Sequence, residues 1–93
     1  MRKIERTSQF KRDYKRESRG RHQAILLNDF REILQALAND EVLLQKHRDH
    51  ALTGEWNDHR DCHIRPDLVL IYRKPNSETL QLVRLGSHSQ RGL

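Results

Sequence analysis

Leu68-Val69-Leu70-Ile71-Tyr72 is apolar at every position, with Arg65-Pro66-Asp67 before it and Pro75-Asn76-Ser77 after it. An apolar run this short, bounded by turn residues, reads as a strand covered on both faces, at the centre of a sheet. The flanking turns are too short for a crossover, so the strands on either side, over 56–64 and 79–85, must run antiparallel to it. The central strand itself reads over 68–73.

Before the strands the period changes. Phe10 and Tyr14 stand four apart in a segment that is otherwise charged (Lys11, Arg12, Asp13, Lys15, Arg16, Glu17), which predicts a surface helix buried along one narrow stripe. Ser8 is placed to cap it, and it is expected to end near Gly20. A second helix is predicted over 23–38, where Phe30, Ile33, Leu34 and Leu37 keep helical spacing and Leu26 and Leu27 extend the stripe. Asn39 and Asp40 close it. The opening residues 3–7 suit a short strand, and residues 40–55, which hold no period, read as a long connection with a turn at Leu52-Thr53-Gly54. The result is an α+β chain, β-α-α-β-β-β, forming one domain over residues 1–93, with two helices on one face of a sheet and the other face left for function.

Composition narrows the chemistry. Lys and Arg number 18 against 13 Asp and Glu, the net charge is +5, and 13 of the cations are Arg. Arginine favours bidentate contacts with phosphate or carboxylate, so a nucleic acid or an acidic protein is the expected partner. The single cysteine, Cys62, excludes an internal disulfide framework and fits a reducing compartment. The first ten residues lack a signal-peptide core, and no stretch approaches the ~18 apolar residues of a membrane span. A cytoplasmic protein with no membrane partner is expected.

The six histidines carry the functional signal. Alternation along 55–63 puts His59, Asp61 and His63 on one strand face and Arg60 and Cys62 on the other. Arg84 and His88 share a parity in the last strand, and His50 lies beside Asp49 in the long connection. Cleavage of RNA without a metal needs a base for the 2′-OH, an acid for the 5′-oxygen and cations for the phosphorane. Imidazole, with a reference pKa near 6.5, suits the first two roles and arginine the third. A metal on His59-x-Asp61-x-His63 is the competing use of the strand, but no Cys pair or helical histidine pair supplies the remaining ligands. Neither a metal nor another cofactor is expected.

The joint string Lys46-His47-Arg48-Asp49-His50-Ala51-Leu52-Thr53-Gly54-Glu55-Trp56, then Arg60-Asp61-Cys62-His63-Ile64-Arg65-Pro66-Asp67, Ile71-Tyr72 and Arg84-Leu85-Gly86-Ser87-His88, resembles the YafQ branch of the RelE-like bacterial toxins. That resemblance implies a RelE-like fold, with an antiparallel sheet mixed at the first strand. It also implies a ribosome-dependent endoribonuclease that cuts mRNA in the A site of the 70S ribosome and is held inactive by a cognate antitoxin. His50, His63, Asp67 and His88 match the family's catalytic positions, with Asp61 in support. On this resemblance His88 is the acid, His50 or His63 the base, Asp67 the orienter and Arg84 the phosphate stabiliser, with Lys46 and Arg60 as further RNA-binding cations. Two departures stand out: Leu68 follows the Pro-Asp pair where the family has an aromatic, and the chain ends Ser89-Gln90-Arg91-Gly92-Leu93 without the family's terminal Leu-Phe. The alternatives are a ParE-like toxin that binds DNA gyrase, which does not need this histidine set, and a basic RNA-binding module without catalysis.

Overall fold

The computed structural model describes residues 1–87. The elements are β1 (Lys3–Arg6), α1 (Ser8–Ser18), α2 (Gln23–Leu27), α3 (Asp29–Ala38), β2 (His50–Ala51), β3 (Arg60–Arg65), β4 (Leu68–Asn76) and β5 (Thr79–Gly86), with 3-10 turns at Gln45–His47 and Gly54–Trp56. The sheet order is β1-β5-β4-β3-β2. Only β1, against β5, is parallel; the remaining pairs are antiparallel. The apolar run that decided the fold is therefore the middle strand, as read. Leu68, Leu70 and Tyr72 face the helices together with Leu80, Leu82 and Leu85, while Val69 and Ile71 are buried on the other face. Burial of each such side chain is worth about 1.5–3 kcal/mol. Leu68, which replaces an aromatic of the resembled family, sits fully inside this core.

The helices cover one face, as expected, through Phe10, Tyr14 and Phe30, whose ring centroids lie 5.9–6.1 Å apart. Several expectations are corrected in detail. The cap of α1 is Thr7 rather than Ser8: its Oγ1 accepts the Phe10 N–H at 3.0 Å and donates to the Val83 carbonyl at 2.9 Å, so one hydroxyl starts the helix and ties it to β5. The second helix is two helices, broken at Asn28 (φ −121°, ψ −79°), whose side-chain amide donates to the Ala24 carbonyl. Asparagine competes in this way with the helical ladder. The break turns Leu27 out of the apolar stripe, to 57% exposure, while Leu26 stays in the core. Nor is α1 charged only on its surface, because Asp13 and Glu17 are buried.

Asn39 and Asp40 do end α3. Asp40 takes the left-handed conformation (φ 58°), and the bonds Asp40 N–H to Leu37 O and Glu41 N–H to Ala36 O form a Schellman closure. The long connection contains the two-residue strand β2, too short to show alternation. β3 starts at Arg60 rather than at residue 56, since residues 54–58 form a 3-10 turn and the turn after it. Gly54, with φ 69°, supplies the conformation that this turn needs. At its other end β4 extends through Pro75 to Asn76.

Candidate active site

The register of the sheet aligns the candidate residues on the face away from the helices. His50 pairs with Asp61, Asp61 with Ile71 and Ile71 with Arg84, so these four form a row across β2, β3, β4 and β5. The next row runs from His63 through Val69 to Gly86. Paired side chains share a face and successive rows lie about 6–7 Å apart. The face predicted by alternation therefore holds Asp61 and His63, and β2 brings His50 to it from 11 residues away in sequence. His59 is not part of it: it precedes β3, and its ring packs edge-on against Trp56.

The hydrogen bonds of His50 define its tautomer. Its Nδ1 lies 2.7 Å from the Arg48 carbonyl and 3.1 Å from Asp61 Oδ1, both acceptors, so Nδ1 carries a proton, and when the ring is neutral the lone pair is on Nε2. Arg48 can present that carbonyl because it adopts a left-handed backbone (φ 48°) just before the strand. The His50 ring is 55% exposed, whereas Asp61 is buried beneath it. His63 is buried and lines an open cleft of about 510 Å3 between the 41–47 segment, α3 and the edge of β3, which Lys46 and His47 also line. His47 Nδ1–H donates to the His63 carbonyl at 2.7 Å, filling an edge position that no strand among the described residues covers. His47 carried no role in the sequence; only the fold brings it against its neighbour 16 residues on.

The other predicted residues are held elsewhere. Arg84 belongs to the first row, but its Nε lies 2.8 Å from Oδ2 of Asp13, which has 0% exposure. Asp13 also accepts the Leu85 N–H at 3.0 Å and Arg16 Nη1 at 3.1 Å. Burial works to raise the Asp13 pKa, yet the hydrogen bonds from Arg84 and Leu85 and the charge of Arg84 outweigh it, and the net direction is down. Beyond β1 the edge of β5 thus has Thr7, Asp13 and Arg16 as its backbone partners, the last donating to the Leu85 carbonyl. Asp67 lies in the β3–β4 turn, where its Oδ2 receives Arg21 Nη2 at 2.7 Å and His22 Nε2 at 3.2 Å. These contacts, the His22 hydrogen bond first, keep its carboxyl below the ordinary carboxylate range.

Arg60 projects to the opposite face, next to Tyr72, and contacts Asp49 at 3.2 Å. Asp49 Oδ1 also accepts the Tyr72 hydroxyl at 2.6 Å, which fixes the backbone just ahead of His50. Burial and this bond to Asp49 push the Tyr72 pKa up, and burial pushes the Cys62 thiol up as well. Lys46 sits at the mouth of the cleft. His88 lies outside the described residues, two positions past Gly86. Among the described residues no three His, Cys, Asp or Glu side chains are grouped to hold a metal ion, and no helix is long and apolar enough to cross a membrane.

A five-stranded mixed sheet with helices on one face is the architecture of the RelE-like fold. Residues 2–91 match the family described as bacterial toxin of type II toxin-antitoxin system, YafQ, and the chain belongs to that family. The mRNA interferase toxin YafQ of Escherichia coli (strain K12) is 34% identical over 89 residues, covering 95% of this chain and 92% of that protein. In the crystal structure of the E. coli DinJ-YafQ toxin-antitoxin complex, the matching chain is 32% identical with a TM-score of 0.80, over 95% of this chain and 93% of that one. A metal-bound toxin from Helicobacter pylori is 40% identical with a TM-score of 0.78, over 96% and 97% of the two chains.

Proposed function

We propose that this toxin is an mRNA interferase, a ribosome-dependent endoribonuclease of the cytoplasm that cuts mRNA in the A site of the 70S ribosome by metal-independent acid/base catalysis, and that a cognate antitoxin holds it inactive. The observation that carries the reading is His50. Its Nδ1–H donates to Arg48 O, with Asp61 Oδ1 3.1 Å away, and in the neutral, half-exposed ring this leaves the Nε2 lone pair to take a proton from an RNA 2′-hydroxyl. Attack of that oxygen on the adjacent phosphorus expels the 5′-oxygen, and His50 holds the proton it has gained beside the Asp61 carboxylate. His88 is the acid for the leaving oxygen, and His63, two residues on from Asp61 along the same face, is the alternative base. Lys46 supplies positive charge for the RNA backbone, Arg84 adds its charge from the first row while bound to Asp13, Arg60 can meet the backbone only beyond the site, on the opposite face, and Asp67 orients from the turn.

The reading is tested by primer extension on mRNA incubated with the toxin and translating ribosomes. Cleavage that needs ribosomes and survives a chelator is expected, with a fall of at least ~100-fold for His50→Gln and for His63→Gln. Full cleavage by both variants would overturn the acid/base assignment. Chelator sensitivity would assign the chemistry to a metal instead. Inhibition of gyrase supercoiling without any RNA cleavage would replace the reading with the ParE-like one.

A further inference from the structure

The reaction as proposed leaves one buried histidine unused. His22 is 6% exposed, and both its ring nitrogens face carboxylates: Nδ1 is 2.7 Å from Glu17 Oε1 and Nε2 is 3.2 Å from Asp67 Oδ2. A neutral imidazole has one N–H and can serve only one of two acceptors, whereas the imidazolium serves both. Glu17 is itself held by Arg16 Nε at 3.1 Å, Arg16 by Asp13 at 3.1 Å and Asp13 by Arg84 at 2.8 Å. Side chains of alternating charge therefore run from Arg84 on β5, along α1, to Asp67 in the β3–β4 turn. At that end Asp67 is 48% exposed, yet its Oδ2 is anchored by His22 from the protein side and by Arg21. A turn carboxylate held by one oxygen presents the other in a fixed direction, and a group that orients a reacting imidazole or nucleotide needs that restriction.

We propose that His22, braced by Glu17, is a positioning residue that fixes the Asp67 carboxylate at the edge of the RNA-cleaving site. The proposal rests on Asp67 belonging to that site. His22 does not touch RNA; it acts through Asp67.

The test compares His22→Gln, Glu17→Gln and Asp67→Asn in the ribosomal cleavage assay, with kcat and KM measured separately. A 13C NMR titration of the Asp67 carboxyl in the free toxin accompanies it. His22→Gln is expected to lower kcat about tenfold or more with KM nearly unchanged, and to move the Asp67 titration up toward the ordinary carboxylate value. Glu17→Gln should act in the same direction more weakly, and it carries the test if His22→Gln does not fold. His59→Ala, a surface histidine, should cleave like the parent. If Asp67→Asn is inactive while His22→Gln and Glu17→Gln keep full kcat and leave the Asp67 titration in place, the positioning role is overturned and the site stands. If Asp67→Asn itself cleaves normally, Asp67 is not in the site, and the proposal falls with it.

Discussion

The two sides of the sheet use charge in opposite ways. On the β5 side Asp13 is fully buried and receives two arginines and a backbone N–H, so its acceptor capacity is taken up. On the β2–β3 side the buried carboxylate Asp61 meets His50, a ring more than half exposed. A saturated ionic network resists change and holds an edge together. An ionisable group with one nitrogen committed and the other exposed can exchange protons. In sequence the two regions look alike, since Lys11-Arg12-Asp13 and Lys46-His47-Arg48-Asp49-His50 are both strings of charge.

The contrast should be sharpest at Asp13. Asp13→Ala leaves Arg84 and the Leu85 N–H without their partner and is expected to cost about 3–5 kcal/mol, read from the urea midpoint. A loss below about 1 kcal/mol would mean that water takes over those donors and that the side is not a structural network. His50→Gln should do the reverse: stability within about 0.5 kcal/mol of the parent, as for other exposed positions, with the cleavage loss given above. A large drop in melting temperature for that variant would erase the distinction between the two sides.

Acid should distinguish them too. Asp13 and Asp67 have folded-state pKa values below the ordinary 3.8, so their stabilisation is complete above that value and is lost as pH falls through the lower folded-state values. An acid-unfolding midpoint that moves to higher pH in Asp13→Asn is the expected result. A smaller effect belongs to Thr7→Ala, which removes the α1 cap and its tie to Val83, at about 1 kcal/mol. The smallest is at Asp40, a surface carboxylate lowered to about 2 by Lys74 and then by Arg2. Lys74→Ala should raise its NMR titration toward 3.8 without a measurable change in stability.

The face of β3 was legible because alternation is rigid: once β3 is a strand, Asp61 and His63 must point together and Cys62 away. The central strand was legible because residues 68–72 leave no polar face. His50 was placed only by family resemblance, since a two-residue strand has no period. His22 gave no signal because its partners, Glu17 and Asp67, are five and 45 residues away in sequence. The burial of Asp13 was hidden for a related reason: α1 is charged nearly all round, and only its packing along β5 shows which carboxylate meets the open strand edge. Arg84 shares the parity of the site face, yet its guanidinium is also bound to buried Asp13, a partner that parity does not reveal.

Local periodicity and turn chemistry alone settle the order of the main strands, the identity of the middle strand and the shared face of Asp61 and His63. The tertiary structure decided which charged groups are spent and which remain available. That depends on contacts between residues up to 77 positions apart and on burial, the two quantities that set the cost of leaving a charge unpaired.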